Sequence, residues 1–150
     1  MIKITHTNSE NSDFKELVTA LDADLAIRDG EEHGFYAQFN SIAHLQYVVV
    51  AYDENQAVGC GAIKPYDAKT MEVKRMFVVP ELRGKGIASL VLKALEDWAI
   101  TLGYKNCILE TGLKQPEAIA LYHKNQYHVI PNYGQYAGVE NSVCFEKKLG

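Results

Sequence analysis

The chain has 150 residues, of which 47% are hydrophobic and 23% are charged, and its formal net charge at pH 7 is −4. This length fits one domain with a substantial core, so we expect residues 1–150 to form a single domain. The acidic balance argues against a general nucleic-acid-binding protein, which would need a basic surface. No apolar run approaches the roughly 20 residues that cross a membrane, and the first residues lack the apolar core of a signal peptide.

Three cysteines, Cys60, Cys107 and Cys144, lie far apart in strand-like runs. No cysteine or histidine has the spacing of a zinc ligand set, so no metal site is predicted. We interpret the cysteines as reduced thiols in the core of a cytoplasmic protein. A catalytic role for one of them is the alternative.

Hydrophobic periodicity predicts the elements of the first half of the chain. Residues 2–6 alternate like a strand, and Ser12 is a candidate N-cap for a helix with one apolar face. That face comprises Phe14, Leu17, Val18, Leu21 and Leu25. A polar stretch with two glycines, residues 28–34, predicts a loop, and a short helical segment is expected at 38–44. Three strands separated by turns are predicted next, at residues 46–52, 57–63 and 71–79.

The second half of the chain alternates helices with strands. A long amphipathic helix begins at Ile87 and stops near Gly103. Its apolar stripe comprises Ile87, Leu90, Val91, Ala94, Leu95 and Trp98, and Glu96 lies off that stripe. A shorter helix opens at Gln115-Pro116, where proline suits the first turn. Further strands are predicted at residues 106–110, 127–130 and 142–148. Early hairpins and later helical crossovers predict a mixed central sheet with helices on both faces.

A basic, glycine-spaced loop joins the strand at 71–79 to the long helix. Its sequence is Arg83-Gly84-Lys85-Gly86. The first turn of a helix leaves backbone N–H groups without intrahelical partners, and glycine lets a ligand approach the backbone closely. With the charges of Arg83 and Lys85, these features are typical of a phosphate or pyrophosphate site. An ordinary strand-to-helix turn is the alternative, because two glycines alone are weak evidence.

Two segments resemble motifs of the GNAT superfamily of N-acetyltransferases. The run from Arg83 to Ala88 is similar to the family's R/Q-x-x-G-x-G/A signature, and residues 115–124 are similar to its N-x-x-A-I-x-L-Y segment. The resemblance implies a GNAT-like α/β (α+β) fold. Its central sheet would be mixed and mostly antiparallel, with about seven strands, helices on both faces and a splay at the acetyl-CoA site. The chain departs from the family pattern at Gln115, usually asparagine, and at Gln126, usually glycine. We expect Asn125 to supply the left-handed conformation that ends the helix.

The resemblance implies that acetyl-CoA is the cosubstrate. The residues expected to bind it are Met76, Phe77, Val78, Arg83, Gly84, Lys85, Gly86, Ile87, Ala88, Gln115 and Tyr122. Tyr122 matches the tyrosine that faces the CoA sulfur, which makes it the candidate general acid, and Glu72 is the candidate base. The backbone N–H of Phe77 or Val78 is the expected oxyanion donor. The alternatives are a packed core aromatic at Tyr122, and at Glu72 a carboxylate that only pairs with Lys74.

The acceptor is expected to be a primary amine of a small molecule or a peptide. In this fold its site would be walled by Arg28, Glu31, Glu32, His33, Tyr36, Tyr133 and Tyr136, although a solvated polar loop with surface tyrosines explains the same residues. The predicted function is direct transfer of the acetyl group in a ternary complex. Alternatives are a CoA-binding sensor or interaction domain without turnover, and transfer of another acyl group. A homodimer is also expected, without a membrane or nucleic-acid partner.

Overall fold

The computed structural model describes residues 1–30, 42 and 44–150. Its strands are β1 (Ile2–Thr7), β2 (Tyr47–Asp53), β3 (Gln56–Pro65), β4 (Thr70–Val78), β5 (Asn106–Gly112), β6 (His128–Ile130) and β7 (Ser142–Lys148). They form one sheet in the order β1-β2-β3-β4-β5-β7-β6. The pair β4–β5 is parallel and the other neighbouring pairs are antiparallel. The mixed, mostly antiparallel sheet predicted from the sequence is therefore confirmed.

Helices cover both faces of the sheet. They are α1 (Ser12–Asp29), α2 (Ile87–Thr101) and α3 (Pro116–Lys124). Neighbouring residues of a strand point to opposite faces, and β2 uses both faces for burial. Val48 and Val50 pack with α1, whereas Val49 and Ala51 belong to the core under α2 and α3. No helix in the described part of the chain is long and apolar enough to cross a bilayer.

The sheet opens between β4 and β5. These strands pair at three positions, from Thr70 with Asn106 to Glu72 with Ile108. Beyond Glu72, β4 continues to pair with β3, and β5 continues to pair with β7, but the two strands no longer pair with each other. The backbone N–H and C=O groups of residues 73–78 that do not bond β3 therefore face a gap rather than a neighbouring strand. Such an edge can bond an extended ligand as it would bond another strand.

A β-bulge interrupts β4 beside this opening. The register with β3 shifts between Cys60 and Ala62, so that Gly61 faces both Arg75 and Met76. Arg75 has a φ of 59°, a left-handed conformation that is uncommon for a residue with a side chain. A Cβ at Gly61 would lie 2.6 Å from the Met76 Sδ, 2.9 Å from the Leu95 Cδ1 and 3.0 Å from the Val91 Cγ1, so a side chain there would have to displace these neighbours. The bulge turns the Arg75 side chain toward α1.

The first helix differs from its prediction at both ends. Its N-cap is Asn11 rather than Ser12, because the Asn11 side chain accepts a hydrogen bond from the Phe14 N–H at 2.9 Å. The helix also continues through Arg28 and Asp29, which were predicted to lie in a loop. Ion pairs from Arg28 to Asp24 and to α3 support this last turn. The predicted segment at 38–44 falls largely outside the described residues.

The buried face of α2 also differs from the predicted stripe. Leu90 is 48% exposed, whereas Leu92 and Ala99 are fully buried. Glu96, predicted to lie off the apolar stripe, is buried because Tyr127 and Lys147 bond its two carboxylate oxygens at 2.9 Å each. The charge is thus paired and hydrogen-bonded, which is the condition for burying it. The helix ends as predicted, with Gly103 in a left-handed conformation.

The end of α3 corrects another expectation. Asn125 has a φ of −95°, and Gln126 takes the left-handed conformation, with a φ of 71°. This explains why the family pattern has glycine at that position. The Asn125 side chain instead closes the helix, because its amide donates to the Leu121 carbonyl at 2.9 Å and to the Ser89 Oγ at 3.1 Å.

Candidate functional site

The loop before α2 has the conformation of an anion-binding turn. After a 3₁₀ turn over Pro80–Leu82, Gly84 and Gly86 adopt φ values of 81° and 85°. A Cβ on either glycine would meet no atom within 4 Å, so the space above the loop is open. Gly86 is the N-cap of α2, and the first N–H groups of that helix lack intrahelical acceptors. The helix dipole adds positive potential at the same place.

Arg83 ties this loop to its surroundings. Its Nε donates to the Val78 carbonyl at 2.9 Å, and its guanidinium carbon lies 5.4 Å from the centre of the Phe77 ring. Its Nη2 also lies 3.8 Å from a carboxylate oxygen of Asp24 in α1. Lys85, in contrast, is exposed at the turn of the loop. The loop therefore carries two cations, one held against the end of β4 and one in solvent.

A cavity of about 390 Å³ runs from this loop along the open edge of β4. Its walls are α1, the end of β4, the start of α2, and α3. The residues predicted to bind the cosubstrate line it, apart from Lys85, namely Met76, Phe77, Val78, Arg83, Gly84, Gly86, Ile87, Ala88, Gln115 and Tyr122. Val79 donates its N–H to the Val58 carbonyl of β3. Because successive residues of a strand alternate, the Val78 N–H points toward the gap.

A smaller cavity of about 120 Å³ adjoins the first. Among the described residues, five line both cavities, namely Leu21, Met76, Gln115, Ala118 and Tyr122. The smaller one continues past the bulge toward the closed end of the opening, where Glu72 and Glu110 line it. A long ligand in the larger cavity and a small ligand in the smaller one would therefore meet at the Tyr122 ring.

Glu72 lies in this smaller cavity with two neighbours. The Tyr133 hydroxyl donates to the Glu72 Oε2 at 2.6 Å, and the Lys74 Nζ lies 3.8 Å from the Oε1. Burial and the charge of Glu72 raise the pKa of Tyr133, which keeps its phenol protonated as the donor. Rings of Tyr66 and Tyr136 pack on Tyr133 and hold it in place. The lysine contact proposed as the alternative role of Glu72 is present, and the carboxylate also faces the cavity.

Tyr122 stands where the cavities join. Its ring is buried against Tyr127 and Phe145, with centroid separations of 5.8 Å each. Burial, with the negative charge of Glu110, raises the pKa of its phenol, so the hydroxyl stays protonated at neutral pH. No other described residue forms a hydrogen bond with that hydroxyl. It is thus available to a ligand.

Comparisons with known proteins identify the family. The model of the acetyltransferase (GNAT) family matches residues 13–127. The chain belongs to this family. It is 39% identical over 102 residues to an IAA acetyltransferase of Azospirillum brasilense, covering 67% of each chain. It is 37% identical over 133 residues to the uncharacterized N-acetyltransferase YjgM of Escherichia coli, covering 85% of this chain and 78% of the relative.

The fold comparison agrees with the sequence comparison. A proposed acyl-CoA N-acyltransferase from Klebsiella pneumoniae superposes with a TM-score of 0.84 at 30% identity, over 100% of this chain and 99% of the other. The protein is thus an acetyl-CoA-dependent acetyltransferase of the GNAT type. Among its described residues, no group of three or more His, Cys, Asp or Glu side chains could hold a metal ion.

The predicted acceptor residues of the acetyltransferase lie in different places. Tyr136 lines the smaller cavity, and Tyr133 reaches it through Glu72. Arg28 lines the larger cavity instead, where it pairs with Glu117 of α3. The remaining four, Glu31, Glu32, His33 and Tyr36, lie outside the described residues.

Three charged residues of the acetyltransferase site were not among the predicted site residues. They are Lys74, Arg75 and Glu110, which all line the smaller cavity. Glu110 had a signal in the sequence, because a carboxylate interrupts the buried strand at 106–112. Lys74 was predicted only as a partner of Glu72. Arg75 had no signal, since the bulge that places it depends on pairing between β3 and β4.

The cysteines of the acetyltransferase are all buried, and none lines either cavity. Burial raises the pKa of Cys60 and Cys107 to about 12, and that of Cys144 to about 11. Since the thiolate is the reactive form, we expect the native protein to release no colour from a thiol-reactive disulfide dye at pH 8. Three equivalents should react in denaturant. Rapid reaction of the native protein would contradict the burial of these thiols.

Proposed function

We propose that the enzyme transfers the acetyl group of acetyl-CoA directly to a primary amine of a small molecule or a peptide, in a ternary complex. The observation that carries this proposal is the junction of the two cavities at Tyr122. One cavity begins at an anion-binding helix start, and the other contains a carboxylate. Residues 1–150 would act as one catalytic domain, and a cytoplasmic homodimer remains a prediction.

The larger cavity suits the cosubstrate. The pyrophosphate would accept hydrogen bonds from the N–H groups after Gly84 and Gly86, with Arg83 and Lys85 supplying positive charge. The pantetheine arm would bond the open edge of β4 as a neighbouring strand does. This places the thioester beside Met76 and Tyr122, with the Val78 N–H as a donor in the gap. Holding the thioester next to the amine supplies much of the rate acceleration.

In the chemistry that follows, the acceptor nitrogen loses two protons and the sulfur gains one. Glu72 accepts a proton from the ammonium group of the acceptor, directly or through a water molecule, and the free amine attacks the thioester carbonyl carbon. A C–N bond forms, and a backbone N–H of β4 stabilises the oxyanion. The C–S bond breaks as the Tyr122 hydroxyl donates its proton to the sulfur. The nitrogen loses its second proton through water to the Tyr122 phenolate, Glu72 releases its proton to solvent, and the amide and coenzyme A leave.

Direct transfer is supported by the position of the thiols. An acyl-enzyme route needs a nucleophile beside the thioester, and all three cysteines are buried away from both cavities. We therefore expect intersecting lines in double-reciprocal plots of the initial rate against the acetyl-CoA concentration, measured at several fixed concentrations of the amine. Parallel lines would indicate an acyl-enzyme and contradict this mechanism.

Release of coenzyme A from acetyl-CoA tests the proposal, with polyamines, amino acids, aminoglycosides and short peptides as acceptors. The buried cysteines should leave the dye assay with a low background. Release above the water blank with one class of amine is the expected result. If acetyl-CoA binds but no class of amine causes release of coenzyme A, a CoA-binding module is favoured. If coenzyme A is released only from a longer acyl-CoA, the enzyme transfers another acyl group.

A further inference from the structure

The smaller cavity contains more charge than an amine alone requires. Glu72 and Glu110 line it, and so do Lys74 and Arg75. Carboxylates suit an ammonium group, but two cations beside them would repel it. Described residues thus bring two charges of each sign to the cavity lining, and a lining with both signs is complementary to a ligand that also has both signs.

Lys74 has ammonium donors that its neighbours leave unused. Its side chain is 11% exposed, and the one ion pair that it makes with a described residue is the contact of 3.8 Å to Glu72. That distance exceeds a hydrogen bond, and the other oxygen of Glu72 accepts from Tyr133. Burial lowers the pKa of Lys74, while the charge of Glu72 opposes this shift. A buried cation of this kind is stabilised when an anion accepts its hydrogen bonds.

Arg75 adds a second, more deeply buried cation. Its side chain is 3% exposed, and Asp22 of α1 pairs with one terminal nitrogen. Its Nε is buried, and no described residue accepts a hydrogen bond from it. The left-handed backbone of Arg75 is a strained conformation held by the bulge, and strain of this kind collects at ligand sites. The bulge thus keeps a guanidinium with an unused donor beside the cavity.

We infer that the acceptor carries a carboxylate next to its amine, as a free amino acid does, and that Lys74 and Arg75 bind this carboxylate. This inference rests on the proposed function and names its substrate class. The carboxylate would accept hydrogen bonds from the Lys74 Nζ, with Arg75 behind it. The amine would then face Glu72 and the thioester beside Tyr122. Lys74 and Arg75 are specificity-determining residues in this arrangement.

Matched acceptors test the inference. The enzyme is assayed for release of coenzyme A with the twenty standard amino acids, their α-amides and the corresponding decarboxylated amines. The best amino acid should exceed its amide in kcat/KM by about 10- to 100-fold, the range that a charged hydrogen bond of about 1.5–3 kcal/mol provides. At neutral pH a larger fraction of the amide than of the amino acid has an unprotonated amine. Amine reactivity alone would therefore give the amide, not the amino acid, the higher kcat/KM.

Two variants assign the effect to Lys74. In Lys74→Met the preference for the amino acid over its amide should fall below about threefold. The control is Lys64→Met, which removes an exposed positive charge from β3 at the position that pairs with Glu72, outside the cavity. It should keep the wild-type preference. Circular dichroism and thermal unfolding of both variants check that they fold.

Binding measurements separate this inference from the proposed function. Amino acids and amides are titrated calorimetrically into the protein saturated with coenzyme A. Binding of an amino acid but not its amide, without any turnover, supports the carboxylate site and contradicts the transferase. Equal use of amides or decarboxylated amines, a preference that persists in Lys74→Met, or no binding of any amino acid would each overturn the inference.

Discussion

Replacing Tyr122 by phenylalanine is expected to lower kcat by about 10²-fold, while the Kd for acetyl-CoA changes by less than about twofold. The substitution keeps the ring that packs on Tyr127 and Phe145 and removes only the hydroxyl. That hydroxyl lies where the cavities join, and its raised pKa keeps it protonated. Steady-state kinetics give kcat, and calorimetry with acetyl-CoA in the absence of an acceptor gives the Kd.

Tyr127→Phe is the matched control for Tyr122→Phe. Tyr127 is buried beside Tyr122, but its hydroxyl donates to Glu96 and lines neither cavity. Loss of the Tyr127 hydroxyl should lower the free energy of unfolding by about 1–3 kcal/mol and leave kcat near the wild-type value. Wild-type turnover in Tyr122→Phe would remove Tyr122 from the mechanism. Equal losses in both variants would indicate a packing effect rather than a proton donor.

Replacing Gly86 by alanine is expected to weaken the binding of acetyl-CoA at least tenfold, about 1.4 kcal/mol, with a smaller change in kcat at saturation. Gly86 has a φ of 85°, and its Cβ would point into open space above the loop. In the proposed complex that space holds the pyrophosphate, whose close approach to the backbone needs glycine. The Kd from calorimetry measures the loss.

Gly103→Ala provides the comparison for Gly86→Ala. Gly103 ends the same helix, has a φ of 93°, and a Cβ added there would also meet no atom within 4 Å. Both variants should lose about 1–2 kcal/mol of unfolding free energy through backbone strain, measured in urea. Only Gly86→Ala should lose affinity. Unchanged binding in Gly86→Ala would refute the assignment of the loop to the pyrophosphate.

The half of the site that binds the cosubstrate is encoded in adjacent residues. A strand, a turn with two glycines and an amphipathic helix follow one another from Thr70 to Thr101, so their order in the sequence is also their order in space. The glycines with positive φ could be predicted because little else tolerates that backbone. Gln126 shows the limit of this reasoning, since a glutamine holds a conformation that the family assigns to glycine.

The acceptor half depends on contacts between distant residues. Glu72 meets Tyr133 across 61 positions of sequence, and Arg75 meets Asp22 across 53. Helical spacing placed Glu96 outside the apolar stripe, and its burial could not be predicted because its partner Lys147 lies 51 residues away. Periodicity describes one helix or strand at a time. It therefore predicts the elements of this fold but not the buried charge pairs that form when they pack.

Because β4 and β5 pair over a short length, a small rotation at their paired end produces a larger displacement at their unpaired end. The strands are joined over three residues and separate over residues 73–78, a length of about 20 Å at about 3.3 Å per residue. Over that length a rotation of about 3° at the joined end displaces the far end by about 1 Å, which exceeds the roughly 0.5 Å tolerance of a reactive geometry. Met71 and Cys107 form the middle one of the three residue pairs that join the strands. Both are fully buried and touch no proposed substrate. Their packing nonetheless sets the angle between β4, which leads to the loop at Gly86, and β5, which leads to α3 and Tyr122.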